Sequence, residues 1–197
     1  MRRRNEVSHY REITCFIEAQ LNSNFHARGI TDTSIYWKNG ELTSKIRELI
    51  VEHPEECACM QTYSRNTPPL NLDIFGVITN GIEFEIIVLE VKLRESTGLA
   101  EWSQLLGYCL VSGAKYGLLV NINAGASPRL KDILVTEVDA SRIVRRKANG
   151  ETIEHLLGFM QWNTDTKNFE YSNMGQLWSL SELSDALMQR FLQPAHH

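Results

Sequence analysis

Two β-rich runs, residues 71–79 and 82–93, flank the dipeptide Asn80-Gly81, and this arrangement constrains the chain more than any other feature. Asn-Gly suits a type I′ hairpin turn because both of its central positions require positive φ. The runs around it are dense in Ile, Val, Leu and Phe, so a hairpin with buried strands is expected at the centre of the molecule. The helical period returns directly afterwards: Trp102, Leu105, Leu106, Cys109 and Leu110 form a stripe that Gly113 closes. Residues 116–122 then read as a buried strand. Hairpin, helix and strand in this order imply a crossover back to the same sheet, hence an α/β sandwich with a central mixed β-sheet flanked by helices.

The flanking segments fit that frame. Ile13, Phe16, Ile17 and Leu21 predict a first helix over 9–24, and Leu42, Ile46, Leu49 and Ile50 a second after Gly40, stopped by Pro54. Further strands are expected at 132–138 and 156–162, with a polar turn over 163–168 leading to 169–171 and a last helix over 181–192. With 197 residues, 43% of them hydrophobic, one domain is expected, with its functional core over about 40–122. No apolar run approaches the roughly 18 residues a membrane span needs. Met1 leads into Arg2, Arg3 and Arg4 rather than a secretory leader, and the four cysteines are scattered, so a cytoplasmic chain with reduced thiols is expected. The net charge of −4 gives no global attraction to nucleic acid. Two local basic groups remain: Arg2, Arg3 and Arg4 with Arg11, and Arg142, Arg145, Arg146 and Lys147.

The chemistry-bearing residues gather on the hairpin. Glu90-Val91-Lys92 ends the second strand, where side chains two apart share a face. The other acidic-x-Lys match, Asp165-Thr166-Lys167, lies in a turn that would fix neither group. Asp73, on the neighbouring strand, can approach Glu90 if the register allows. Two carboxylates brought together call for a cation, and oxygen ligands without His or Cys favour Mg²⁺ or Mn²⁺. A lysine beside such a site can orient a water and offset charge growing on phosphate oxygens, a set suited to phosphodiester hydrolysis. His9, His26, His53 and His155 are isolated, and neither Gly113 nor Gly125 lies in a phosphate-cradling loop.

Leu72-Asp73 followed by Glu90-Val91-Lys92 resembles the PD-(D/E)xK nuclease superfamily over residues 72–121, and Gln104 to Tyr108, Gln-Leu-Leu-Gly-Tyr, is similar to the QxxxY element of its RecB-type members. The resemblance implies a restriction-endonuclease-like sandwich, with Asp73, Glu90 and the Val91 carbonyl as metal ligands, Lys92 as the catalytic lysine, and Gln104 and Tyr108 lining the cleft. Leu72 stands where a proline is usual, which leaves the chemistry untouched. Members often carry an acid on an early helix; Glu12, Glu18, Glu41 and Glu48 are candidates here, Glu41 first because it opens the helix before the core strands. The expected function is Mg²⁺- or Mn²⁺-dependent cleavage of nucleic acid, DNA before RNA, in restriction or defence, repair or recombination. The chain would act as a homodimer, a structure-selective enzyme or a subunit of a larger complex, with the two basic groups contacting the backbone. The alternative is a catalytically silent subunit of the same fold that binds nucleic acid or protein.

Overall fold

The computed structural model describes residues 6–147 and 150–192, with side chains through Gln189. Arg2, Arg3, Arg4 and the terminal His196 and His197 lie outside the described residues. Helix α1 (Tyr10–Ala27) follows a short 3-10 turn (Glu6–His9) and buries Ile13, Ile17, Leu21 and Phe25, a repeat of four that keeps one face on the core. Strand β1 (Ser34–Glu41) leads into α2 (Leu42–Glu52), then α3 (Pro54–Cys57) and α4 (Gln61–Asn66). The hairpin β2 (Asn71–Thr79) and β3 (Phe84–Lys92) is followed by α5 (Leu99–Ser112) and β4 (Tyr116–Ile122). Helix α6 (Pro128–Thr136), strands β5 (Arg142–Arg146), β6 (Thr152–Asn163) and β7 (Asn168–Glu170), and α7 (Leu180–Leu192) complete the order.

The seven strands form one sheet in the order β1-β2-β3-β4-β6-β5, with β7 beside β6. β3, β4 and β6 run parallel and the remaining pairs are antiparallel, so the expected mixed sheet is present. Helices cover both faces. One apolar layer joins α1 and α7 to Ile74, Ile87, Leu89, Leu118 and Trp162, and the other joins α2 and α5 to Phe75, Val88, Leu119 and Phe159. No helix of the described residues is long and apolar enough to cross a membrane.

Several expectations are corrected. Among the described residues, positive φ outside glycine is confined to Asn123, Lys167 and Asn173, so Asn80 does not take up the type I′ conformation. The hairpin instead closes through a four-residue loop, 80–83, before Phe84 pairs with Thr79. The Asn80 carboxamide accepts from the Ile82 and Glu83 amides, which lets its side chain do part of the turning. Residues 132–138 are not a strand: Ser127 caps α6, Pro128 occupies its first turn, and Leu130 and Leu134 are buried at helical spacing. The basic segment 142–146 is strand β5, and β1 is a strand the sequence reading leaves unassigned. All four cysteines are free thiols.

Candidate active site

The site forms where β2 parts from β3. Their ladder runs from Thr79 opposite Phe84 to Ile74 opposite Leu89 and stops one residue short of Asp73. On its other side β2 pairs Phe75 with Lys38 and Leu72 with Gly40, so Asp73 and Ile74 together face the single residue Asn39. That extra residue is a β-bulge, which explains why Leu72 and Phe75 pack in the same apolar layer although they are three apart. The bulge re-aims Asp73 toward the end of β3. Its Oδ2 accepts from the Val91 amide at 3.1 Å and from the Lys92 ammonium at 3.2 Å.

Glu90 is fully buried. The Lys92 ammonium also meets its Oε1, yet neither carboxylate oxygen receives a hydrogen bond of ordinary geometry. A buried carboxylate this poorly solvated disfavours its charge: burial pushes the Glu90 carboxyl up to about 7, with the Asp73 charge adding to the rise and Lys92 opposing it. For Lys92 burial acts to lower the pKa, but its bonds to Glu90 and Asp73 prevail and raise it. Lys92 therefore carries its positive charge between two carboxylates.

Two residues that the sequence reading does not single out, Glu6 and Tyr10, join the site from the 3-10 turn before α1 and the first residue of α1. Tyr10 stands beside Asp73, and burial, followed by the charges of Asp73 and Glu6, raises its pKa. The Glu6 carboxylate accepts from the Leu93 amide at 3.1 Å and its charge acts on Glu90. No sequence signal marks them, because Glu6 lies in the 3-10 turn outside α1, where α-helical spacing does not predict a shared face. Glu41, by contrast, is the N-cap of α2: its carboxylate accepts from the Thr43 and Ser44 amides and from the Thr43 hydroxyl. Hydrogen bonds from Ser44 and Thr43 hold its pKa down to about 2. Among the described residues no hydrogen bond or ion pair joins it to Asp73, Glu90 or Lys92. Glu48 pairs with Lys45, and Glu12 with Lys167 and His9.

Gln104 and Tyr108 are brought to each other: the Gln104 amide donates to the Tyr108 hydroxyl at 2.7 Å. They lie on the flank of α5 away from Leu110, whose carbonyl accepts from Arg145 of β5. The basic strand itself is remote. β5 lies three strands from β3, roughly 14 Å at ordinary strand spacing. The register carries Arg142 through Leu156 and Tyr116 to the level of Ile87, three residues short of Glu90, and Arg146 lies farther along the same direction. Arg142 is paired with Glu154 and Lys147 with Glu151.

No group of three or more His, Cys, Asp or Glu side chains among the described residues is arranged to hold a metal ion. What the structure brings together is two carboxylates, Asp73 and Glu90, each meeting the Lys92 ammonium; oxygen donors of this kind are what Mg²⁺ takes when it keeps several waters. The buried Glu90 carboxylate fits such an ion, since its Oε1 meets the Lys92 ammonium while its Oε2 has no partner among the described residues. No family model, curated protein or solved structure matches this chain.

Proposed function

We propose that this protein is a metal-dependent nuclease of restriction-endonuclease-like fold that hydrolyses phosphodiester bonds of nucleic acid, DNA before RNA. The observation that carries the reading is the fully buried Glu90 sharing the Lys92 ammonium with Asp73 at the point where β2 and β3 part. Burying a carboxylate is costly even when an ammonium pairs with it, so two carboxylates sharing one lysine at a strand end point to function. Asp73, Glu90 and the Val91 carbonyl would hold Mg²⁺ or Mn²⁺, which supplies a Lewis acid for the phosphate and lowers the pKa of a coordinated water.

The chain's own residues do the remaining work. The bulge at Asp73 and the Val91 amide fix one carboxylate, so the donors do not have to reorganise when substrate arrives. Lys92 holds a positive charge where the phosphoryl oxygens gain negative charge and can orient the attacking water. Such a chain would serve restriction, defence, repair or recombination, as a homodimer or within a larger complex.

The test is cleavage of supercoiled plasmid, single-stranded DNA and RNA with Mg²⁺ or Mn²⁺ against EDTA, comparing wild type with Asp73→Asn. Metal-dependent cutting that the variant loses supports the reading. Folded wild type that cuts none of the substrates contradicts it and favours a binding subunit of the same fold.

A further inference from the structure

Beside the trio lies a cleft of about 340 Å³ between α1 and β1, walled by Val7, Tyr10, Arg11, Trp37, Asn39 and Ile74 among others. It abuts the site directly. Ile74 follows Asp73 in the bulge, Asn39 is the residue facing both, and Tyr10, which walls the cleft, stands beside Asp73. The Trp37 indole lies flat on the sheet over Gly76, where a Cβ would stand 2.7 Å from the ring, so the glycine is what admits the indole. Arg11 is exposed and has no carboxylate partner among the described residues, whereas the neighbouring Lys38 is held by Glu52 at 2.8 Å. The exposed Asn39 side chain offers both a donor and an acceptor.

We infer that this cleft receives one unstacked nucleobase of a single-stranded nucleic acid, next to the phosphate to be cut, so that the enzyme selects single strands or frayed ends over intact duplex. The volume is at the small end of the roughly 300–1,000 Å³ of ligand pockets, which suits a single nucleoside and excludes a base pair held in a duplex. Aromatic walls serve any base, because every base has a π face, and stacking needs the base released from its helix. Arg11 is placed for a flanking phosphate and Asn39 for a base edge. The inference rests on the nuclease reading and names the substrate form of that same site.

The test measures binding, in EDTA so that nothing is cut, of labelled oligothymidylate, oligouridylate and a blunt duplex of the same length. Wild type is compared with Val7→Trp, which fills the cleft from a residue 52% exposed, and with Arg11→Glu. Both single strands are expected to bind at least about tenfold more tightly than duplex, and each variant to lose about tenfold of that preference. Far-ultraviolet circular dichroism confirms that both variants fold. Duplex bound as tightly as single strands, or variants with wild-type affinity, overturns the base pocket. Cleavage run in parallel separates the two readings. Metal-dependent cutting with unaffected variants leaves the nuclease standing and removes the pocket, whereas variant-sensitive binding of single strands without cutting keeps the pocket and removes the nuclease.

Discussion

Lys92→Met is expected to destabilise the protein by an amount that grows with pH. The substitution keeps the aliphatic stem that packs in the site, so what it removes is the charge. Lys92 is 12% exposed and its partner Glu90 is fully buried. Removing one member of such a pair costs about 3–5 kcal/mol when the remaining charge stays ionised. Protonation of Glu90 caps the loss. With Lys92 present, burial already raises the Glu90 carboxyl from 4.5 to about 7, and without the opposing ammonium it rises further. An acid with a raised folded pKa binds more protons in the fold than in the unfolded chain, so its form of the fold is favoured at low pH and loses stability as pH rises. In wild type that loss runs from about 4.5 to about 7; in the variant it continues to higher pH. Near pH 8, one unit above the wild-type value of about 7, the cap limits the extra loss to about 1.4 kcal/mol. The expected fall in Tm is therefore about 3–6 °C near pH 8 and a small fraction of that near pH 5, at about 2–4 °C per kcal/mol for a chain this long. Thermal and urea denaturation in EDTA at both pH values measures it, and Glu90→Gln added to Lys92→Met should recover most of the stability lost at high pH. A loss equal at the two pH values, or a double variant no more stable than the single one, refutes the reasoning.

Three further outcomes follow from other parts of the molecule. Glu41→Ala removes the α2 cap and should cost about 1 kcal/mol at neutral pH. The wild-type contribution is complete above the ordinary carboxyl range and disappears as pH falls toward about 2, so the two proteins should converge in stability in acid, as denaturation at several pH values would show. Gly158→Ala places a Cβ 1.9 Å from the Leu177 carbonyl oxygen. The strap that must move is held by Phe159 to Met174 and by Gln176 and Leu177 to Leu157; about 3–5 kcal/mol should be lost, read from the urea midpoint. Reversing Arg145 and Arg146 tests strand β5: if they contact phosphates, the salt slope of DNA binding falls by about 0.9 per contact, and an unchanged affinity and slope removes the strand from the interface.

What the sequence discloses follows from how local each signal is. Helices α1, α2 and α5 repeat their apolar residues at three and four, and the β2–β3 hairpin is dense in β-branched residues, so these elements and the Glu90-Val91-Lys92 placement are legible without a structure. α6 was also locally encoded, by Ser127 and Pro128, but the apolar residues after them read as a strand when that cap is overlooked. β1 and β5 are different. Each is an edge strand, rich in polar or charged side chains; β1 is held by β2, which is distant in sequence, and β5 by its antiparallel neighbour β6, whose own place in the sheet is set by β4. The bulge that aims Asp73 is likewise a property of two registers at once, visible only when β1 and β3 are both in place. Glu6 and Tyr10 reach the site because α1 packs across the sheet, a tertiary fact that periodicity alone does not carry.

The central claim is that Lys92 turns a bound nucleic acid over and does not merely hold it. Turnover and binding of one labelled DNA strand, measured side by side for wild type and Lys92→Met at a pH where both are folded, separate these roles. The account predicts metal-dependent cleavage by wild type, loss of cleavage in the variant by at least about a hundredfold, and strand affinity in EDTA within a few-fold of wild type. Equal cleavage by the two proteins, or wild type that binds the strand and never cuts it, would contradict it.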